Sequence, residues 1–185
     1  MKSSSEETLI TKRFRLRILN LNDVGPHYVS WLNDPEVNRY LESRYHSHTI
    51  DTTIKYVNEC HNDPQIFSFA IFERNSDLHI GNIKIVICDE EKKVGQIGIL
   101  IGEKSYWGQG VATEVIKALL NFGFEILNLR EIVAGCYRSN VASLKAFIKS
   151  GFSIRDLCKD SHQLDGVSED SYILSLGIDD YSLKV

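Results

Sequence analysis

The sequence predicts a mixed α/β fold with antiparallel strands in its first half and a β-α-β unit at its centre. Three observations carry this. In Val94–Ile101, Ile97, Ile99 and Ile101 fall on one face with the two-residue period of a strand. Trp107-Gly108-Gln109-Gly110-Val111-Ala112 follows, with glycines where backbone must bend or come close to something. A helix then sets Val115, Leu119, Phe122 and Ile126 against a polar stripe of Glu114, Lys117, Asn121, Glu125 and Asn128.

The remaining elements follow in order. Thr8–Ile18 alternates through Leu9, Phe14, Leu16 and Ile18, with Lys12, Arg13, Arg15 and Arg17 interleaved, and reads as one strand. Asp23 can cap a helix through Tyr28, Trp31 and Leu32. Asn33-Asp34-Pro35 ends it and opens a second short helix, Glu36–Leu41, with Pro35 at its first position. Glu42–Thr49 has no period and reads as a loop. Thr49 or Asp51 caps a helix through Ile54, Val57 and Cys60, which stops near Asn62-Asp63-Pro64.

Ile66–Phe72 and Leu78–Cys88 read as strands joined by the polar turn Arg74-Asn75-Ser76-Asp77, and Asp89–Lys93 as a solvated turn into the central strand. Beyond the central helix, Glu131–Tyr137 is a strand. Val141–Ser150 is a short helix with Leu144, Phe147 and Ile148 inward, closed by Gly151. Phe152–Cys158 and Tyr172–Ile178 are the last strands, separated by a polar loop, Lys159–Ser171.

Composition narrows the function. A chain of 185 residues with 43% hydrophobic residues fits one domain, residues 8–185, behind a loose start at residues 1–7. Lys and Arg number 21 against 25 Asp and Glu, for a net charge of -4, which argues against a nucleic-acid binder but leaves room for a local basic pocket. Cys60, Cys88, Cys136 and Cys158 are far apart and fit reduced thiols; no apolar run reaches membrane-span length. A cytoplasmic protein is expected. The glycine turn can place unpaired N–H groups and a helix dipole against a phosphate, or it can be a tight strand-to-helix connection with no ligand.

Three segments then stand together: Ile99–Thr113; Arg138-Ser139-Asn140-Val141-Ala142-Ser143 followed by Lys149-Ser150-Gly151-Phe152; and Trp31-Leu32-Asn33-Asp34-Pro35-Glu36-Val37. On them the chain resembles the GNAT superfamily of acyl-CoA-dependent N-acetyltransferases, from roughly Leu9 to Ile178, and within it the group of the ribosomal-protein N-terminal acetyltransferases. The resemblance implies a single twisted, mostly antiparallel sheet of about seven strands with one splayed pair. It also implies acetyl-CoA as cosubstrate, and no metal.

On the same resemblance, the coenzyme diphosphate lies on backbone N–H groups of Gly108, Gln109, Gly110, Val111, Ala112 and Thr113. Trp107 stands where such proteins usually carry Gln or Arg, so one side-chain donor is missing. The pantetheine arm pairs with Ile99, Leu100 and Ile101, where the central strand parts from Glu131–Tyr137, with Gly98 as a bulge. A backbone N–H at Ile99 or Leu100 polarises the thioester carbonyl. Asn140 binds the pantetheine amide, although an Asn there is also an ordinary N-cap. Ser143 is the acid for the departing thiolate, with Tyr137 second.

A base is harder to name, because Gln96 occupies the strand position where relatives often have glutamate. Glu42, Glu73, His79 and Glu103 remain, with Glu42 ranked first for its place in the acceptor loop. Trp31, Arg44 and Tyr45 are assigned to the substrate: Arg44 can clamp a phosphate and Tyr45 can stack on a flat ring. A hydrophilic surface loop would have the same composition. The preferred acceptor is a primary amine of a small molecule, a nucleotide-linked amino sugar. The alternatives are a protein N-terminus, a polyamine, or acetyl-CoA binding without catalysis. A mononucleotide domain is disfavoured, since the turn lacks a G-x-x-x-x-G-K-[ST] lysine. Neither nucleic acid nor membrane is expected as a partner, and a homodimer through the last two strands is compatible with the family.

Overall fold

The computed structural model describes residues 7–183, so the loose start expected for residues 1–7 lies outside them except for Glu7. The chain divides into two compact units. One comprises residues up to Lys84 together with Ile99–Val111, the other Ile85–Gly98 together with the chain from Ala112 onward.

In the first unit, β1 (Thr8–Ile10) and β2 (Phe14–Ile18) form a hairpin where the pattern predicts one strand. Thr11 breaks the run. Its hydroxyl accepts the Phe14 N–H at 2.9 Å while its own N–H donates to the Phe14 carbonyl, so a local turn displaces extended backbone. Asn20, not an Asp23 cap, opens the next segment. It caps a 3-10 turn, Leu21–Asp23, and the Asp23 carboxylate accepts the Asn20 N–H at 2.9 Å. Helix α1 (Pro26–Asn33) begins after Gly25 with proline in its first turn.

The expected helix Glu36–Leu41 is a run of turns. The Asp34 carboxylate accepts the Glu36 N–H at 2.9 Å and holds the backbone in an Asx turn. The expected loop at Glu42 instead opens with a 3-10 turn, Glu42–Tyr45. Thr49 caps α2 (Ile50–Asn62), and β3 (Ile66–Glu73) follows, paired antiparallel with β2. Tyr28, Trp31, Leu32, Val57, Ala70 and Phe72 belong to the buried cluster of this unit, and Leu100 packs against it.

Strands β4 (His79–Asp89) and β5 (Val94–Ile101) each pass through both units. In the second unit, α3 (Val111–Asn121) ends in a π-helical turn, Phe122–Ile126. The wider turn shifts the phase, so Phe124 is buried and the expected core residue Ile126 is 55% exposed. Gly123 permits that turn, because a Cβ there would stand 2.7 Å from Ile132 Cδ1.

Next come β6 (Glu131–Tyr137) and α4 (Val141–Lys149), the latter burying Ala146 and Phe147 but leaving Ile148 exposed, against expectation. Gly151, just past the Ser150 C-cap, takes φ +107. The predicted polar loop Lys159–Ser171 is strand. β7 (Ser153–Leu164) and β8 (Val167–Gly177) form one long hairpin, closed by Asp165-Gly166 with both residues at positive φ. A last short helix, α5 (Ile178–Ser182), was not in the pattern.

The ladder order is β1-β2-β3-β4-β5-β6-β8-β7, an open sheet of eight strands. Strand β5 pairs in parallel with β6 from Val94–Glu131 to Ile97–Ala134, and the register ends one residue short of Gly98. Strand β6 stays paired with β8 to its end at Tyr137. Among the described residues no helix is long and apolar enough to cross a membrane.

Candidate active site

In the first unit, β5 leads through Gly102 and a 3-10 turn, Lys104–Tyr106, into the glycine turn. Gly108 and Gly110 take φ +73 and +75, a region that disfavours side chains, and a Cβ on Gly108 would meet nothing within 4 Å. Open space thus borders main-chain donors at the start of α3, as a phosphate requires. The side chains of the turn are engaged locally. The Trp107 indole N–H donates to the Ile101 carbonyl at 2.8 Å, and the Gln109 amide donates to the Ser105 carbonyl. Lys104 pairs with Asp34 at 2.8 Å and with Glu36, which lowers the Asp34 pKa, first through the hydrogen bond from Lys104. Arg13 Nη2 lies 4.0 Å from the position a Cβ on Gly110 would take.

Trp31 is 3% exposed and sits in a ring cluster, with centroids 4.7 Å from His27 and 5.0 Å from His79. Its indole N–H donates to Glu103 Oε1 at 3.0 Å, and His27 Nε2 lies 3.2 Å from the same oxygen. Glu103, a base candidate from the sequence, is therefore a tie between α1 and the end of β5. Trp31 presents its ring to the core, directly over Gly102. His79 stacks on Phe72 at 5.0 Å. Burial keeps its pKa below the ordinary imidazole value, so it is a neutral packing histidine at pH 7. Glu73 accepts hydrogen bonds from the Ser76 hydroxyl and the Ser76 and Asn75 N–H groups, which lower its pKa and make it a turn-holding carboxylate.

The acceptor loop also lies in this unit. Glu42 is 66% exposed and 3.9 Å from Arg44. The Arg44 guanidinium donates to the Leu41 carbonyl at 2.7 Å and to the Tyr45 hydroxyl at 2.6 Å, and lies 4.3 Å from the centre of the Tyr45 ring. Tyr45 is thus backed by a cation on one face while remaining 59% exposed.

The second unit carries Ala112, Thr113, Tyr137, Asn140 and Ser143. Asn140 is the N-cap of α4, with Oδ1 accepting the Ser143 N–H at 3.1 Å. Ser143 is half-buried in the first helical turn, and the nearby Cys136 thiol donates to the Tyr137 and Asn140 carbonyls at 3.4 and 3.6 Å. Burial raises the Cys136 pKa, opposed by the Ser143 and Leu144 bonds, so the group stays a thiol. Tyr137 is buried, 4.6 Å from the His162 ring centre, and its carbonyl accepts the Asn140 N–H at 2.9 Å. The Ser150 hydroxyl donates to the Ala146 carbonyl at 2.8 Å, with the Thr113 carbonyl 3.5 Å away, so it braces the first turn of α3. Gln96 is exposed on β5.

Residues 13–153 match the family model described as an acetyltransferase (GNAT) domain. The chain belongs to the GNAT acetyltransferases. It is 30% identical to the uncharacterised N-acetyltransferase p20 of Bacillus licheniformis, over 92% of this chain and 96% of that protein. It is 22% identical to the human alpha/beta-tubulin-N-acetyltransferase 9, over 82% and 78%. Among solved structures, spermidine N-acetyltransferase from Vibrio cholerae in complex with CoA and spermine superposes with TM-score 0.82 at 18% identity, covering 92% of this chain and 98% of that one.

This GNAT acetyltransferase is therefore an enzyme that acetylates an amine. Among its described residues no group of three His, Cys, Asp or Glu side chains could hold a metal ion. Three of its features escaped the sequence reading: Cys136 beside Ser143, Ser150 beside Thr113, and Arg13 beside Gly110. The spacing of β6 marks Cys136 as inward-facing, but only the fold reveals what it faces.

Proposed function

We propose that the protein moves an acetyl group from acetyl-CoA to a primary amine of a small molecule. The observation that carries this is the glycine turn, whose positive-φ residues leave main-chain N–H groups beside open space and whose own side chains bond inward. There the diphosphate would rest on Gly108–Thr113, with Ile99, Leu100 and Ile101 aligning the pantetheine arm and Asn140 donating to it through its amide.

Acetyl-CoA would supply an acetyl group activated as a thioester. The acceptor nitrogen bonds to the acetyl carbon as the carbon–sulfur bond breaks. Ser143 passes its hydroxyl proton to the departing sulfur and regains the proton that nitrogen loses. Tyr137 is the second donor in this scheme. Glu42, open to solvent, draws in the ammonium form of the acceptor and takes up its proton through water.

The finer reading is a nucleotide-linked amino sugar. It is supported by the Arg44–Tyr45 pair, a cation under an exposed ring able to receive a base or a phosphate. Trp31 acts from beneath, by fixing Glu103 and Gly102. A polyamine is the second reading, favoured by the spermidine-acetylating structural neighbour and by the carboxylates Asp34, Glu36 and Glu103 of the first unit. Thiol release from acetyl-CoA, measured across nucleotide-linked amino sugars, polyamines and short peptides, separates these. Turnover confined to peptides would remove the small-molecule reading. Ser143→Ala should abolish most turnover while CoA still binds; undiminished turnover would transfer the acid's role to Tyr137 or water.

A further inference from the structure

We propose that Arg13 is a cofactor-binding residue, pairing its guanidinium with the diphosphate of acetyl-CoA beside Gly110. This role presupposes that the glycine turn is the diphosphate site. A dianion placed there meets main-chain N–H groups but little charge from the turn itself. Trp107 and Gln109 donate to carbonyls, and Lys104 is held by Asp34 and Glu36. In a chain of net charge -4, binding such a group calls for a local cation.

Arg13 meets that need by position. Its Nη2 stands 4.0 Å from the point where a Cβ on Gly110 would project, so the guanidinium borders the glycine turn. The side chain is held beside the Phe14 ring, with Cζ 5.0 Å from the ring centre. Its turn is fastened from two sides. Thr11 and Phe14 exchange hydrogen bonds. Arg74 donates its N–H to the Arg13 carbonyl at 2.9 Å and its guanidinium to the carbonyls of Thr11 and Lys12 at 3.0 and 3.3 Å. A guanidinium carried on a backbone turn held in this way can bind phosphate oxygens in a fork.

The test is calorimetry of CoA and of S-acetylpantetheine, which lacks the nucleotide, with wild type, Arg13→Gln and Arg13→Lys. Gln keeps most of the stem on Phe14 and removes the charge. Arg13→Gln should weaken CoA binding about ten-fold or more. Arg13→Lys should weaken it less, and S-acetylpantetheine should bind all three proteins alike. The dependence of CoA affinity on salt should be shallower in Arg13→Gln than in wild type. Equal CoA affinity in wild type and Arg13→Gln overturns the role of Arg13 and leaves the coenzyme site standing. Equal losses for both ligands also overturn it, since they mark a structural effect. Wild type that binds no CoA brings down the reading of the turn itself.

Discussion

Asn140 caps α4 and is the proposed donor to the pantetheine arm, and substitution can separate the two. Its Oδ1 accepts the Ser143 N–H at 3.1 Å and caps α4, which leaves the amide hydrogens as its offer to a ligand. Asn140→Ala removes both functions. Loss of the cap should cost about 1 kcal/mol, which in a chain of this size lowers Tm by about 2–4 °C. Loss of the donor, worth about 0.5–1.5 kcal/mol net, should raise KM for acetyl-CoA roughly two- to ten-fold. Asn140→Asp keeps the acceptor and, when ionised, has no donor, so its Tm should match wild type while its KM rises as in the alanine variant. Thermal unfolding and initial rates at saturating acceptor read the two effects independently. If Asn140→Asp retained the wild-type KM, the residue would be a helix cap only, and its assignment to the pantetheine arm would fall.

Gly102→Ala should be among the costliest single substitutions in the first unit. The new Cβ would overlap the buried Trp31 ring, which the Glu103 bond and the flanking His27 and His79 rings hold in place. A loss of about 3 kcal/mol is expected in urea unfolding, against almost none for Gly135→Ala, whose Cβ would meet nothing within 4 Å. Gly166→Ala isolates backbone strain, since space is open but φ is +79; about 1 kcal/mol is expected, read from the same unfolding midpoints. His79, whose folded pKa lies below its ordinary 6.5, binds its proton less readily folded than unfolded. Stability should therefore be full above pH 6.5 and decline as pH falls from there toward the folded pKa, and His79→Phe should flatten that decline in urea unfolding at stepped pH.

The central strand, the glycine turn and the edges of β6 were legible because each rests on a local signal: a two-residue period, paired glycines, an apolar run with clear stops. Where the fold departs from the pattern, a side chain or a φ value overrides the period. Thr11 folds an alternating run into a hairpin by bonding Phe14. Gly123 lets α3 relax into a π turn and rotates Ile126 outward. The polarity of Lys159–Ser171 conceals an outer hairpin whose β7 residues are mostly exposed. Its Asp165-Gly166 pair is a two-residue turn signal that the sequence does display, and that polarity outweighed.

The two halves of the reaction differ in legibility for a physical reason. Holding a diphosphate requires main-chain geometry, and main-chain geometry leaves glycines and helix starts in the sequence at fixed spacing. Choosing an amine requires side chains gathered from distant segments. Trp31, His79 and Glu103 meet around one ring cluster although 72 positions separate the first from the last. No spacing rule announces such a meeting. Sequence distance likewise hides Arg13, which the fold brings beside Gly110. Charge counted over the whole chain is therefore a poor guide to whether a local anion site exists. A net charge of -4 coexists with a guanidinium beside Gly110, the turn proposed to hold the diphosphate.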